Sequence, residues 1–409
     1  MLKSRDKNSL NQAVIFCGGF GTRLGSLTQK TPKPLIKVYK NKSILDIIIY
    51  NLERFGIKKI FLLCHYKFHL FKNMYHKKIF KNCEIECVYE KKLLGSAGSL
   101  YKIKNRLEKK FLVCNGDTFF DFNLLDLFFS FKKSNLGIIS VASVKDKSSR
   151  YSKIKLTKDK INSFDYNQDK NTLINSGIYI LRKKIFKYFK KSKSLEKEVF
   201  NLIIKKNKLQ GKIYDSSYNL FIDIGVKKDL FRSQSFFKKI YKKKAVFLDR
   251  DGIINIDKGY TFKSKDFYWR KKIKKLIKYL NDKNYFIFVI TNQSGVGRGY
   301  YKENDVRSLH KWVNSKLSRN GAHIDDFQFA TYYKYSKIKK YRQKKNLRKP
   351  MIGMFKILNK EWNILKNKSL VVGDKDTDIK FANNAGLKSI KIDPKDDIFE
   401  KVKKKLKKL

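Results

Sequence analysis

Short apolar runs rich in β-branched and aromatic residues alternate along this chain with longer, lysine-studded segments of helical pattern. A strand covered on both faces reads as a continuous apolar run, and its crossover helix keeps one polar face, so the alternation predicts parallel strands joined by helices. The first half predicts strands near 12–17, 60–65, 85–89, 111–115, 137–144 and 174–181. The pattern restarts at Ala245-Val246-Phe247-Leu248 and continues at 286–290, 327–330 and 370–372. Between the halves, 237–244 is a short basic stretch that reads as a linker. Domains are therefore expected over 13–236 and 245–395, with a polar tail over 1–12 and a lysine-rich tail over 396–409, a solvated helix or frayed end. Two cores also suit 409 residues, since domains usually run to about 100–200 residues. The expected fold class is α/β in both domains.

Composition changes this picture little. The 42% hydrophobic share supplies enough apolar surface for two cores. No run of about 18 uncharged apolar residues occurs, and the first twelve residues hold no apolar stretch, so a cytoplasmic protein with no membrane partner is expected. The five cysteines (Cys17, Cys64, Cys83, Cys87, Cys114) are odd in number, and several sit in strand-like runs, which fits core thiols in a reducing compartment. The formal charge of +59 would ordinarily suggest nucleic acid. Here the excess is nearly all lysine spread from end to end, with abundant Asn, Ile, Phe and Tyr, as biased codon usage would give. No specific nucleic-acid partner is expected. With only four prolines in the chain, Pro32, Pro34 and Pro350 stand out because all three fall inside motifs.

The run Ala13 to Cys17 leads directly into Gly18-Gly19-Phe20-Gly21-Thr22-Arg23-Leu24 and then Thr31-Pro32-Lys33-Pro34-Leu35. Glycines after a strand let backbone N–H groups approach a phosphate, and Arg23 and Lys33 are placed to neutralise a nucleoside triphosphate. This segment resembles the sugar-1-phosphate nucleotidyltransferase family, whose signature is GG-x-GTRL followed by a PKP lysine. The resemblance runs over nearly 13–235 and implies a Rossmann-like domain with a mixed, mostly parallel sheet. It implies that Gly18, Gly19, Gly21 and Thr22 cradle the nucleotide and that Leu94-Gly95-Ser96-Ala97-Gly98 is a base-proximal loop, through Gly95, Ser96 and Gly98. In Asn115-Gly116-Asp117 it implies a contact from Asn115 and a metal carboxylate at Asp117. It implies sugar contacts from Asn175 and Gly177 of Asn175-Ser176-Gly177 and from Glu196, and a second metal carboxylate at Asp223. An oxygen of the sugar phosphate would attack the α-phosphorus while Mg²⁺, Arg23 and Lys33 offset charge, with no covalent enzyme intermediate. The family's Phe-x-Glu-Lys segment is replaced here by Phe164-Asp165-Tyr166-Asn167, so its sugar-phosphate lysine is absent.

In the second half Val246-Phe247-Leu248 ends in Asp249-Arg250-Asp251-Gly252, two carboxylates on alternate residues where open α/β sheets bind ligands. In order follow Thr291-Asn292-Gln293-Ser294-Gly295, Arg348-Lys349-Pro350 and Gly373-Asp374-Lys375-Asp376-Thr377-Asp378. The set resembles the haloacid dehalogenase superfamily over about 244–393 and implies its parallel-sheet fold. By that resemblance Asp249 is the nucleophile, Asp251 the acid and base, and Asp374 joins Asp249 and Asp251 around Mg²⁺. Thr291, Asn292 and Lys349 hold the phosphoryl group. Ile254-Asn255-x-Asp257-x-Gly259-Tyr260 and Arg348-Lys349-Pro350 look most like heptose 1,7-bisphosphate 7-phosphatases, which makes Arg298 and Arg348 candidates for a distal phosphate. Those enzymes usually carry a zinc loop of Cys-x-His and Cys-x-Cys. This chain reads Ala330-Thr331-Tyr332 and Lys345-Asn346-Leu347 there, so no zinc is expected and aromatic packing should hold the loop. Ile253 stands where the family usually has threonine.

Together the two resemblances imply consecutive steps on one sugar: loss of the 7-phosphate from a heptose bisphosphate, then nucleotidyl transfer to heptose 1-phosphate, with GTP the preferred donor. The partners are then small sugar phosphates and a nucleoside triphosphate. Two alternatives stand beside this reading: the same chemistries on a mannose- or glucose-type sugar, and a basic nucleic-acid-binding protein on inactive enzyme folds.

Overall fold

The computed structural model describes residues 9–144, 151–165, 172–189, 192–215, 220–240, 242–342 and 346–409. The chain divides into two compact units, Met1–Lys239 and Ile240–Leu409.

The first unit is built on a ten-stranded mixed sheet. Strands Lys110–Asn115, Gln12–Phe16, Lys59–Cys64 and Cys83–Tyr89 lie side by side and parallel, each connected by helical crossovers. Their runs, such as Ala13, Val14 and Ile15, are fully buried, as strands covered on both faces require. Antiparallel strand Thr172–Arg182 flanks Lys110–Asn115 and links it to Gly137–Val144, Leu209–Asp215 and the pair Lys153–Thr157 and Lys160–Asp165. A separate two-stranded sheet, Thr118–Asp121 against Leu220–Asp223, sits just past the end of Lys110–Asn115. All five cysteines are buried and free.

The second unit carries five parallel strands in the order Asp326–Ala330, Phe286–Asn292, Ala245–Leu248, Leu370–Gly373, Lys388–Lys391. Helix Ile273–Asp282 shows how the sequence dictates packing: Ile273, Leu276, Ile277 and Leu280 follow helical spacing and are all fully buried. Burial of each such side chain contributes about 1.5–3 kcal/mol.

Two segments depart from the sequence expectation. The stretch read as linker overlaps helix Lys227–Ile240, in which Phe237 is fully buried and packs on Phe119 at 5.7 Å. The lysine-rich tail, read as a solvated helix or frayed end, is a helix, Ile398–Leu406, capped by Asp397, and departs from the reading only in that Ile398, Phe399 and Val402 are buried in the core. Its lysines occupy the other faces, which is why composition hid an amphipathic element. Residues 1–8 of the polar tail lie outside the described residues, and Leu10 is already buried.

Candidate active sites

In the first unit the glycine-rich loop leaves the end of strand Gln12–Phe16. Gly21 has φ 70°, and a Cβ there would lie 2.9 Å from the Thr28 methyl, so both turn and packing call for glycine. Thr28 Oγ1 donates to the Gly21 carbonyl at 3.1 Å, fixing the loop from below. Gly18 has only ordinary contact with His65 and Gly19 has open space beside it, leaving their backbone accessible. The short turn Thr22–Leu24 exposes Thr22 and Arg23 to solvent. Lys33 is instead buried, and its ammonium pairs with Asp117.

Strand pairing sets Asp223 opposite Thr118, the neighbour of Asp117. The Thr118 hydroxyl lies 3.2 Å from Asp117 Oδ1 and 3.3 Å from Asp223 Oδ2, so the two carboxylates flank a single hydroxyl beside Lys33. The Gly225 N–H donates to Asp223 Oδ1 at 2.5 Å. Several expected sugar and base residues join one hydrogen-bonded chain. Asn175 Nδ2 donates to Tyr179 Oη at 3.0 Å, Tyr179 donates to Glu196 Oε1 at 3.0 Å, and Ser96 Oγ donates to Glu196 Oε2 at 3.2 Å. Burial pushes the Tyr179 phenol up, with the Glu196 charge adding to it, so it stays a donor. Gly95 and Gly98 lie in helix Gly95–Lys102, and Gly177 backs onto the Asn115 side chain. Tyr166 and Asn167, where the family lysine is missing, lie outside the described residues.

In the second unit the sheet brings the motifs together at the carboxyl ends of neighbouring strands. Asp249 follows Ala245–Leu248, Thr291 and Asn292 end Phe286–Asn292, and Asp374 follows Leu370–Gly373. Lys349 is buried, with Nζ 2.9 Å from Asp249 Oδ1, 2.6 Å from Asp378 Oδ1 and 2.9 Å from the Ile290 carbonyl. Oxygens of Asp249, Asp374 and Asp378 all lie within 4.8 Å of one another. Burial, opposed by Lys349 but reinforced by Asp378 and Asp251, pushes the Asp249 carboxyl up to about 7. Burial also raises Asp374, whose Oδ1 is buried without a hydrogen-bond partner among the described residues. Burial alone would lower the Lys349 ammonium, yet Asp249 and Asp378 raise it. Asp249, Asp374 and Lys349 thus all shift upward, the two acids chiefly through burial and the lysine through its acidic neighbours. That donor set, with an orphaned oxygen, fits a hard divalent cation.

Asp251 is held differently. Its carboxylate takes Nε and Nη2 of buried Arg250 at 3.1 and 2.9 Å, Asn255 Nδ2 at 3.0 Å and Gln293 Nε2 at 2.9 Å. Gln293 also donates to Thr291 Oγ1 at 2.9 Å. Asn292 is engaged by main chain: its Oδ1 accepts from the Lys349 N–H at 3.0 Å and its Nδ2 faces the Lys349 carbonyl at 3.3 Å. It holds the lysine loop in place. Arg298 lies over the Tyr333 ring at 3.9 Å. Arg348 is half-buried, Nη1 has no partner among the described residues, and burial together with the Arg298 charge lowers its pKa. An anion between the two guanidiniums would relieve their repulsion.

The loop expected to rest on aromatic packing is fixed by charge as well. Tyr333 and Tyr335 meet edge to face at 5.8 Å, while Glu303 Oε1 accepts from Lys340 Nζ at 2.8 Å and from the Tyr341 hydroxyl at 3.0 Å. Beside it lies a cavity of about 600 Å³ lined by Glu303, Phe329, Tyr332, Arg348 and Lys349 among others. Lys345 lies outside the described residues. Sequence reasoning missed Thr118, Tyr179, Arg250, Gln293 and Asp378; of these Arg250, Gln293 and Asp378 stood inside quoted motifs, without a role of their own. No described helix is long and apolar enough to cross a membrane.

Comparison with known proteins adds three findings. Residues 12–240 match the family model described as nucleotidyl transferase, and residues 244–394 match that described as polynucleotide kinase 3 phosphatase. A D-glycero-beta-D-manno-heptose-1,7-bisphosphate 7-phosphatase of Rhodopseudomonas palustris is 38% identical over 39% of this chain and 89% of its own length. A D-glycero-alpha-D-manno-heptose 1-phosphate guanylyltransferase of Campylobacter jejuni is 34% identical over 54% of this chain and 97% of its own. The crystal structure of HddC from Yersinia pseudotuberculosis aligns with TM-score 0.49 at 29% identity, covering 56% of this chain and all of that one.

Proposed function

The chain belongs to the nucleotidyl transferase family through residues 12–240 and, through its second half, to the family of the heptose-1,7-bisphosphate 7-phosphatases, and we propose on that footing that it performs two successive steps. It removes the 7-phosphate of a heptose 1,7-bisphosphate, then joins the resulting heptose 1-phosphate to the guanylyl group of GTP with release of pyrophosphate. The relatives named for the alpha-anomer support this order, because the heptose 1-phosphate left by a D-glycero-alpha-D-manno-heptose-1,7-bisphosphate 7-phosphatase is the acceptor of the guanylyltransferase.

In the phosphatase half, an oxygen of Asp249 attacks phosphorus and the sugar alkoxide leaves, taking a proton from Asp251. Asp251 then draws a proton from water, whose oxygen attacks the aspartyl phosphate and returns Asp249 and free phosphate. Lys349 and Thr291 steady the phosphoryl oxygens, and Asn292 fixes the lysine loop. Arg298 and Arg348 take the distal phosphate. In this structure Arg250 holds the Asp251 carboxylate, so Asp251 must loosen that contact to act as an acid. In the transferase half, the acceptor phosphate oxygen attacks the α-phosphorus and pyrophosphate leaves, with Arg23 and Lys33 offsetting the charge. Gly18, Gly19, Gly21 and Thr22 approach the nucleotide, and the network of Ser96, Asn175, Tyr179 and Glu196 faces the sugar. Mg²⁺, held by Asp249 and Asp374 with the Asp251 carbonyl in one half and by Asp117 and Asp223 in the other, supplies charge neutralisation when bound.

The observation that carries the reading is the excess of carboxylate over ammonium at Asp249, Asp374, Asp378 and Lys349. The test uses the whole chain with heptose 1,7-bisphosphate, GTP and Mg²⁺, followed by mass spectrometry. Asp249→Asn should stop phosphate release and leave pyrophosphate release from heptose 1-phosphate intact, and Asp117→Asn should do the reverse. Loss of both activities in either variant contradicts two independent sites.

A further inference from the structure

The segment 256–262 hangs at the rim of the phosphatase site from both of its walls. Arg250, next to the nucleophile, donates to the Thr261 carbonyl at 2.7 Å, and Lys375, next to Asp374, pairs with Asp257 at 3.1 Å. Two aromatic pairs join this segment to residues 300–301. The inner pair, Phe262 on Tyr301, is stacked at 4.8 Å, and the buried Tyr301 hydroxyl donates to Gln293 Oε1, the same Gln293 that holds Asp251. The outer pair, Tyr260 on Tyr300, meets edge to face at 4.8 Å, with Tyr260 45% and Tyr300 56% exposed. The inner pair accounts for the anchoring, and the outer pair leaves aromatic surface in water.

Tyr260 also has φ 48°; every other non-glycine described with positive φ is Lys or Asn. A left-handed backbone is unfavourable for an aromatic residue, and such strain persists where the side chain is used. Arg298 stands two residues before Tyr300, and Arg348 lies near enough to Arg298 and to the Tyr260 hydroxyl for both to act on its guanidinium. The rim thus offers two tyrosine faces beside two guanidiniums. Cations recognise the phosphates of a sugar bisphosphate, and the C–H faces between them need an apolar partner, which a tyrosine ring supplies while its hydroxyl stays wet.

We propose that Tyr260 and Tyr300 form an aromatic seat for the sugar body of the substrate, between the phosphate that reacts at Asp249 and the distal phosphate held by Arg298 and Arg348. This rests on the bisphosphatase reading above. The seat makes the site measure the body of the substrate as well as its two charges.

The experiment compares full-length wild type, Tyr260→Gly, Tyr260→Phe and Tyr300→Ala on heptose 1,7-bisphosphate and on acetyl phosphate, which has no sugar. Tyr260→Gly and Tyr300→Ala should lower the ratio of kcat/KM for bisphosphate over acetyl phosphate at least tenfold, mainly through KM. Tyr260→Phe should stay within threefold of wild type. Glycine relieves the positive φ, so Tyr260→Gly should unfold at the same temperature as wild type or higher. A ratio within twofold of wild type in both ring-deleting variants overturns the seat, as does a lower unfolding temperature with equal losses on both substrates. A wild type that does not prefer the bisphosphate instead overturns the bisphosphatase reading.

Discussion

Replacing Gly252 with alanine sets one methyl group against the carboxylate of Asp374. Gly252 has φ 87°, and its Cβ would lie 2.3 Å from Asp374 Oδ2 and 2.6 Å from Cγ, whereas ordinary contact begins at 3.4 Å. The carboxylate must retreat by about 1 Å, and the left-handed backbone adds about 1–2 kcal/mol of strain. That strain should lower the unfolding midpoint of the second unit by roughly 2–8 °C. A 1 Å displacement of a positioned group costs about 10²-fold in rate, or about 2.7 kcal/mol of transition-state stabilisation. Phosphate and pyrophosphate release are measured on one preparation, with thermal unfolding followed in parallel. Phosphate release should fall about 100-fold while pyrophosphate release holds. Phosphate release within threefold of wild type would refute the argument that Asp374 must stand where it does.

Tyr179→Phe breaks the chain between Asn175 and Glu196; about 1–2 kcal/mol of stability should be lost, and KM for heptose 1-phosphate should rise with kcat little changed in steady-state assays. His310 is buried against Phe327 with Nε2 unpartnered among the described residues, and burial followed by the Arg250 and Arg307 charges holds its pKa well below the usual value. The unfolded chain therefore takes up this proton first as pH falls below about 6.5, and stability drops by up to about 1.4 kcal/mol per unit until the folded pKa is reached. Denaturant curves of wild type minus His310→Phe should show that slope; equal pH dependence in the two proteins excludes it. Glu303→Gln keeps a partner for Tyr341 but loses the charge facing Lys340, so KM for the bisphosphate should rise a few-fold, and addition of zinc should not restore it.

The central strands were legible because burial on both faces leaves uninterrupted apolar runs, as at 13–15, 60–63 and 245–248. Strands Lys153–Thr157 and Lys160–Asp165 were not, since they are antiparallel neighbours whose polar residues alternate with apolar ones and blur the run, and Leu209–Asp215 was not because Gln210, Gly211 and Lys212 interrupt its apolar residues. Asp249 and Asp374 announced themselves by following strands. Asp378 is helical, in Asp376–Ala385, where acids near an N-terminus are commonplace, and only the fold turns it onto Lys349. Thr118 and Tyr179 sit inside apolar strands, so nothing local marks a polar role; the strand pairing that sets Asp223 opposite Thr118 spans over a hundred residues.

Three acids crowded about one ammonium also bear on how long the second unit survives. Like charges drawn together at Asp249, Asp374 and Asp378 push that unit toward unfolding, since the open chain lets them separate. A divalent ion that binds only the closed form reverses the push by mass action, adding about 2.7 kcal/mol at a hundredfold excess over its dissociation constant. The supply of such an ion would then bear on the lifetime of the second unit along with its turnover, and a chelator would lower the temperature at which that unit unfolds.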